Sequence, residues 1–162
     1  MAPGFTTKTH SLAETQTLAG CFASMLQAGM VVGLNGPLGA GKSAFARFVI
    51  TTACPEIDDI PSPTFTLVQT YESKTHLPIW HMDLYRLDAP EEAFALGIED
   101  GFYEAACLVE WPDKLGGYWP DGAWSVTITP LSQTERHFEF TGPETALAQL
   151  QAMILKSGLS LQ

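Results

Sequence analysis

The residues with the clearest chemical meaning are Gly36-Pro37-Leu38-Gly39-Ala40-Gly41-Lys42-Ser43. They fit G-x-x-x-x-G-K-[ST], the pattern of a phosphate-binding P-loop. Average composition would produce such a match by chance in about one chain of this length in 200. Glycines let successive backbone N–H groups converge on phosphate oxygens with no Cβ in the way. The N-terminus of a following helix adds a dipole that favours anions. Lys42 would reach the β- and γ-phosphates of a nucleotide, and Ser43 would offer its hydroxyl to Mg²⁺. One such charge contact is worth up to about 4 kcal/mol at an effective dielectric of about 20. A Gly-rich turn with an exposed lysine has the same letters, but a P-loop must follow a strand and open a helix, and this one does both.

A nucleotide site of this kind needs a carboxylate on the metal side. Glu110 ends the apolar run Ala105–Val109, which is the place of a Walker-B acid. Asp83 is its rival, in a strand beside Met82 and Leu84, able to meet a metal, a water or Arg86. The plainest alternative for Asp83 is an Asp–Arg pair at a strand end. Thr64 lies in Ser62-Pro63-Thr64-Phe65, a switch position whose hydroxyl can reach the γ-phosphate side. Taken alone, that segment is only a proline turn. Trp111 adjoins Glu110 and precedes Pro112, so it either covers a nucleotide or packs as core. His81 reads as an ordinary strand residue rather than a base. No Cys or His spacing suggests zinc.

These groups need elements to hold them. Ser11 and Glu14 form a capping box opening a helix with Leu18, Phe22, Met25 and Leu26 on one side and Gly29 as its stop. Met30–Asn35 reads as a strand feeding the P-loop. The helix after it carries Phe45, Phe48, Val49 and Thr52 on one side and ends before Pro55. Thr64–Tyr71 and Ile79–Tyr85 predict an antiparallel hairpin. Asp88 and Glu91 predict the start of a short helix that Gly97 closes. Ala105–Val109 has the continuous apolar character of a strand buried on both faces. Ala123–Thr129 and Arg136–Phe140 read as later strands, and Pro143 starts a last helix with Leu147, Leu150 and Ile154 in a stripe. The order predicts an α/β fold, a P-loop NTPase-like three-layer sandwich on a mixed, partly parallel sheet. Without repeats or linkers, residues 1–162 read as a single domain.

Composition narrows the function. The chain is 46% hydrophobic and 16% charged, as a folded protein with a true core should be. No apolar run can span a bilayer, and no basic-then-apolar block reads as a secretion signal. Cys21, Cys54 and Cys107 are an odd set in apolar stretches, which fits reduced thiols and a cytoplasmic protein. The net charge is −10, and residues 83–121 hold ten acids against two bases. No basic stripe can form, so direct nucleic-acid binding and a polybasic membrane anchor are disfavoured. The acidic stretch is either a solvated face or a surface for a basic partner.

Taken together, Gly36–Ser43, Ser62-Pro-Thr-Phe65 running into Thr66-Leu-Val68 and Tyr71, His81-Met-Asp-Leu-Tyr-Arg-Leu87 and Glu110-Trp-Pro112 resemble the TsaE (YjeE) family. That family is the bacterial ATPase serving threonylcarbamoyladenosine modification of tRNA. The resemblance implies Mg²⁺ and ATP as ligands, weak turnover, and action on a complex of TsaD and TsaB, with tRNA reached only through those partners. It implies that Gly36, Leu38, Gly39, Ala40, Gly41, Lys42 and Ser43 hold phosphates, with Trp111 beside them. It implies further that Ser43 and Glu110 hold Mg²⁺, that Asp83 acts in hydrolysis with Glu110, and that Thr64 lies on the switch. Ser43 and Ala44 stand where the family usually has two threonines; the first keeps the hydroxyl, and the second gives up a contact to the α-phosphate. Arg136 lies where the last strands approach the nucleotide and receives no role.

Three other functions compete. A nucleotide-gated adaptor with negligible hydrolysis has the same sequence features. A small-molecule kinase would want an Arg-bearing lid, and Arg47, Arg86 and Arg136 are scattered. A GTPase would need N-K-x-D, and the D-x-x-G at Asp113–Gly116 comes too late in the chain.

Overall fold

A computed structural model describes residues 3–162. Its strands are β1 (Gly4–Thr9), β2 (Val31–Asn35), β3 (Val68–Glu72), β4 (Pro78–Asp83), β5 (Ala106–Glu110), β6 (Trp124–Pro130) and β7 (Arg136–Thr141). The helices are α1 (Leu12–Ala23), α2 (Lys42–Ala53), α3 (Ile98–Glu104) and α4 (Glu144–Lys156), with 3₁₀ segments at Pro90–Leu96 and Pro112–Tyr118. One sheet runs β1-β7-β6-β2-β5-β4-β3. β6, β2, β5 and β4 are mutually parallel at its centre, and β3, β7 and β1 pair antiparallel at its margins. The sheet is therefore mixed and partly parallel, as expected, and β3–β4 is the expected hairpin.

The central strands alternate between two cores. Val32, Leu34, Leu108 and Ile79 face one cluster, with Leu18, Phe22, Phe45, Val49 and Leu150 from α1, α2 and α4. Val31, Cys107, Val109 and Met82 face the other, with Ala93, Ile98 and Leu115. This two-residue period is the geometry of a strand buried on both sides. It also fixes the face of the polar residues at the strand ends. His81 and Asp83 share the parity of Ile79, and Glu110 shares that of Leu108, so all three belong to the face covered by α2.

Several sequence readings shift. α1 ends at Ala23 rather than at Gly29, and the Ser24 N–H closes it on the Gly20 carbonyl. Its start is as read, with the Glu14 N–H donating to Ser11 Oγ at 3.1 Å. On α2 the buried residues are Lys42, Phe45, Ala46, Val49 and Ile50, while Phe48 is half-buried and Thr52 is exposed. β3 begins at Val68, four residues later than read, because Leu67 takes a left-handed φ of 68° and Pro63–Thr66 form a turn. The carboxylate capping the 3₁₀ segment is Glu92, not Glu91; it accepts from the Asp88 N–H at 2.8 Å. Gly97 closes that segment as read, with φ 78°. β1, α3 and the second 3₁₀ segment were not legible. β1 carries only Phe5 as a large apolar residue, and its inward positions are otherwise threonines. Its outer edge takes the C-terminal residues, with the Gln162 N–H bonded to the Thr6 carbonyl at 2.9 Å. No helix among the described residues is long and apolar enough to cross a membrane.

Phe22 joins the layers, with ring centroids 6.0 Å from Phe45, 5.7 Å from Phe140 and 5.4 Å from Trp124, the last edge-on. Phe22→Ala is expected to lower stability by about 3–5 kcal/mol, read from urea unfolding followed by circular dichroism. The thiols are all free, with Cys54 and Cys107 buried and Cys21 half-buried. Burial pushes the Cys107 thiol up to about 12. Its folded value thus lies above the unfolded one, so its contribution to stability holds below the unfolded pKa and is lost as pH rises toward about 12. A thiol reagent at mildly alkaline pH should modify Cys21 in the native protein and Cys107 only after unfolding, which peptide mass spectrometry would show.

Candidate functional site

The turn between β2 and α2 is built from backbone conformations that few side chains tolerate. Gly36 has φ 144°, and a Cβ there would lie 2.5 Å from the Ile128 carbonyl oxygen. Gly41, at φ 106°, is the residue before the first turn of α2. A Cβ on Gly39 would meet nothing within 4 Å, so the middle of the loop borders open space. That space is a cleft of about 420 Å³ bounded by the loop, Arg47, Thr64, Asp83, Tyr85, Glu110 and Trp111. The loop is braced from behind by Arg136, whose Nε donates to the Ala40 carbonyl at 2.8 Å and whose Nη1 donates to Ser132 O and Glu135 O at 2.7 and 2.9 Å.

Lys42 is only 5% exposed. Its Nζ donates to the carbonyls of Gly36 and Pro37 and sits 4.0 Å from the centre of the Trp111 ring. Burial lowers its pKa, opposed by the nearby carboxylates of Glu110, Asp83 and Asp113 in that order. A buried ammonium on two neutral carbonyls has taken on desolvation without a counter-charge in contact, and a phosphate oxygen would supply one.

Glu110 and Asp83 are register partners on the parallel strands β5 and β4, and both are buried. Ser43 Oγ donates to Glu110, 2.8 Å from Oε1 and 3.0 Å from Oε2. His81 Nε2 lies 2.7 Å from Oε2 of the same carboxylate, and the imidazole has no solvent exposure. Asp83 Oδ2 accepts from Thr64 Oγ1 at 3.2 Å and Oδ1 from the Tyr85 N–H at 3.0 Å. Arg86 does not pair with Asp83; its guanidinium stacks over Phe65, 4.5 Å from the ring centre. Trp111 has a left-handed φ of 59° and is half-buried beside the cleft, 5.0 Å from the Tyr85 ring.

Leu38–Ser43, Thr64, Asp83, Glu110 and Trp111 thus border one cleft, while Gly36, His81 and Arg136 do not line it. Thr64 reaches Asp83 rather than standing free, and Trp111 borders the loop rather than filling the core. Leu38 is 72% exposed at the edge of the cleft. The reading of His81 as an ordinary strand residue is corrected: it is a buried partner of Glu110. Its signal was the two-residue spacing to Asp83 on a strand beside β5. Among the described residues no group of three or more His, Cys, Asp or Glu side chains is placed to hold a metal by itself. Ser43 and Glu110 alone are a partial donor set, of the kind Mg²⁺ completes with phosphate oxygens and water.

The chain is similar to proteins of one family. The family model described as "Threonylcarbamoyl adenosine biosynthesis protein TsaE" matches residues 9–138. A protein from Rickettsia bellii (strain RML369-C) named tRNA threonylcarbamoyladenosine biosynthesis protein TsaE is 39% identical over 127 residues, covering 78% of this chain and 88% of its own. The protein of the same name from Bacillus subtilis (strain 168) is 34% identical over 130 residues, 79% of each chain. The crystal structure of YdiB from Bacillus subtilis matches with a TM-score of 0.73 and 26% identity over 98% of both chains.

Arg136, which receives no role from the sequence, braces the P-loop through the Ala40 carbonyl. Removing its charged donor from the Ala40 carbonyl in Arg136→Ala should cost about 1.5–3 kcal/mol, measured by urea unfolding. Hydrogen exchange at the amides of residues 38–41 should rise in the same variant while that of β5 stays unchanged.

Proposed function

This chain belongs to the TsaE family of threonylcarbamoyl adenosine biosynthesis proteins, a family with a P-loop NTPase-like fold, and from that premise we propose that it binds ATP with Mg²⁺ and hydrolyses it slowly. In this reading it supports threonylcarbamoyl transfer to adenosine in tRNA by acting on a TsaD–TsaB complex in the cytoplasm. The observation that carries the reading is the Ser43–Glu110 bond at the mouth of a glycine cradle, with Asp83 in register beside it.

The residues present fit the ligands. The open side of Gly39, the buried Lys42 and the N-terminus of α2 form one anion site. Lys42 would take phosphate oxygens in exchange for loop carbonyls. Ser43 and Glu110 would hold Mg²⁺, which supplies charge neutralisation to the phosphates when bound. Asp83 would accept a hydrogen bond from the attacking water and orient it. Thr64 and the Tyr85 N–H already hold that carboxylate in place. Two arginines held elsewhere support slow turnover: Arg136 is tied to the loop carbonyl and Arg86 to Phe65, so Arg47 is the one arginine that lines the cleft.

The acidic surface supports a protein partner rather than RNA. Glu91, Glu99, Asp100 and Glu104 are exposed on the segments covering the sheet face opposite α2. Glu92 is exposed too, but its carboxylate is occupied in capping, so it is not a free contact residue.

A second reading, a nucleotide-gated adaptor with negligible hydrolysis, is favoured by one observation. Both Asp83 oxygens already accept hydrogen bonds from the protein. Titration calorimetry with Mg-ATP separates the possibilities. Wild type should bind, and Lys42→Ala should bind about 10–150-fold more weakly, the loss of a charged hydrogen bond. Asp83→Asn should bind within a few-fold of wild type yet lose about 10²–10⁴-fold in single-turnover hydrolysis with TsaD and TsaB present. Absence of ATP binding by wild type overturns the proposal, and binding without partner-stimulated hydrolysis favours the adaptor.

A further inference from the structure

The geometry points to His81 as the positioning residue of Glu110, the group that decides which carboxylate oxygen is left to face a bound cation. The inference rests on the proposed reading of Glu110 as the metal-side acid and adds a residue to it.

Three observations carry it. His81 has no exposed surface, lies in the interior strand β4, and makes one polar contact, Nε2 to Glu110 Oε2 at 2.7 Å. Its Nδ1 has no hydrogen-bond partner among the described residues. A buried ring with a single partner that is a carboxylate must place its hydrogen on Nε2 and donate it, because a carboxylate only accepts. Satisfying Nδ1 elsewhere would have been the ordinary solution for a core histidine, so the ring is oriented for Glu110.

The second donor on that carboxylate does not choose between its oxygens. Ser43 has one hydroxyl hydrogen, and its Oγ lies at nearly equal distances from both, 2.8 Å and 3.0 Å. His81 contacts Oε2 alone. A glutamate has several rotatable bonds and loses much rotamer freedom when held. With Oε2 taken by His81 from the sheet as well as by Ser43, Oε1 is the oxygen that meets no donor other than Ser43, and so the one left for a cation. This is the role that outer-shell hydrogen bonds play for ligating carboxylates, and their loss typically lowers metal affinity by about 10–100-fold. The position is fixed by topology. His81 shares its sheet face with Asp83, and the parallel register of β4 with β5 sets it diagonally behind Glu110.

The test uses ADP and Mg²⁺, so that turnover plays no part. ADP affinity is measured by calorimetry over a series of Mg²⁺ concentrations for wild type, His81→Met, His81→Asn and His81→Gln, each checked for folding by thermal melting. Met fills the space without a donor, and Asn is too short to reach. Gln carries an amide nitrogen at about the reach of Nε2. The Met and Asn variants should need about 10–100-fold more Mg²⁺ for the same gain in ADP affinity. Their affinity without Mg²⁺ should stay within about two-fold of wild type, and Gln should restore the Mg²⁺ response. If only one of Met and Asn folds, that one decides. An unchanged Mg²⁺ response in the donor-less variants overturns the inference, as does Gln failing like Met, which would make the ring a packing element. A wild type that binds ADP without any response to Mg²⁺ overturns the metal-side reading of Glu110, and the inference with it.

Discussion

A carboxylate almost closed off from water at the end of an apolar strand has to be met by donors, or its burial would unfold the site. Glu110 is that group. All five residues of β5 are buried, so the strand arrives at Glu110 with no solvent to share. Its two donors come from different elements, Ser43 from the first turn of α2 and His81 from β4. The same contact therefore ties the P-loop helix to the sheet and selects how β4 lies beside β5. Lys42, next to Ser43, feels the carboxylate as the largest of the charges that offset its burial. Take Glu110 away and a buried imidazole and a half-buried hydroxyl lose their acceptor, and a buried ammonium loses the largest charge offsetting its burial.

The alternation of the parallel strands distributes the work. On the α2 face the strands end in acids, histidine and the glycine loop. On the opposite face Gly33 and Gly101 have no room for a side chain: a Cβ would lie 2.9 Å from the Trp119 ring and 2.5 Å from the Trp80 ring. Those aromatics seat the 3₁₀ segments and α3, which in turn carry the exposed acids outward. A one-residue slip of β4 or β5 would send Asp83 and Glu110 into the apolar cluster and Met82 and Val109 into the cleft. Register is thus enforced by both faces, and the chemistry depends on it.

How much of this was legible follows from what each signal measures. The P-loop, β5 and the last helix were readable because glycine spacing, continuous apolar character and helical periodicity are local properties. The late start of β3 was not, since β-branched composition is blind to the left-handed turn at Leu67. β1 escaped notice because threonines fill its inward positions, and Thr9 satisfies its hydroxyl on Thr15. In the site, Ser43, Glu110, Asp83 and Thr64 were found by motif and are indeed neighbours. His81 was passed over because its meaning depends on a strand twenty-five residues further on, and Arg136 because its partner is a backbone carbonyl. Pairings across the sheet leave no trace in a local pattern.

The net charge of −10 contrasts with a family whose members are named for tRNA chemistry, and the structure makes the contrast sharper. Only eight lysines and arginines are present, and two of them are spent inside the site. Lys42 is buried under Trp111, and Arg136 is bonded to three backbone carbonyls. The cations left for the surface are fewer than the count suggests, while the acids of residues 91–104 stay exposed. Binding a nucleic-acid backbone draws most of its free energy from counterions released by clustered lysine and arginine, and this surface has no such cluster to offer. On the proposed reading that is no deficit. A subunit that binds and turns over a nucleotide needs its positive charge in one buried place, facing phosphate, and its exterior can be given over to acids that recognise a basic protein.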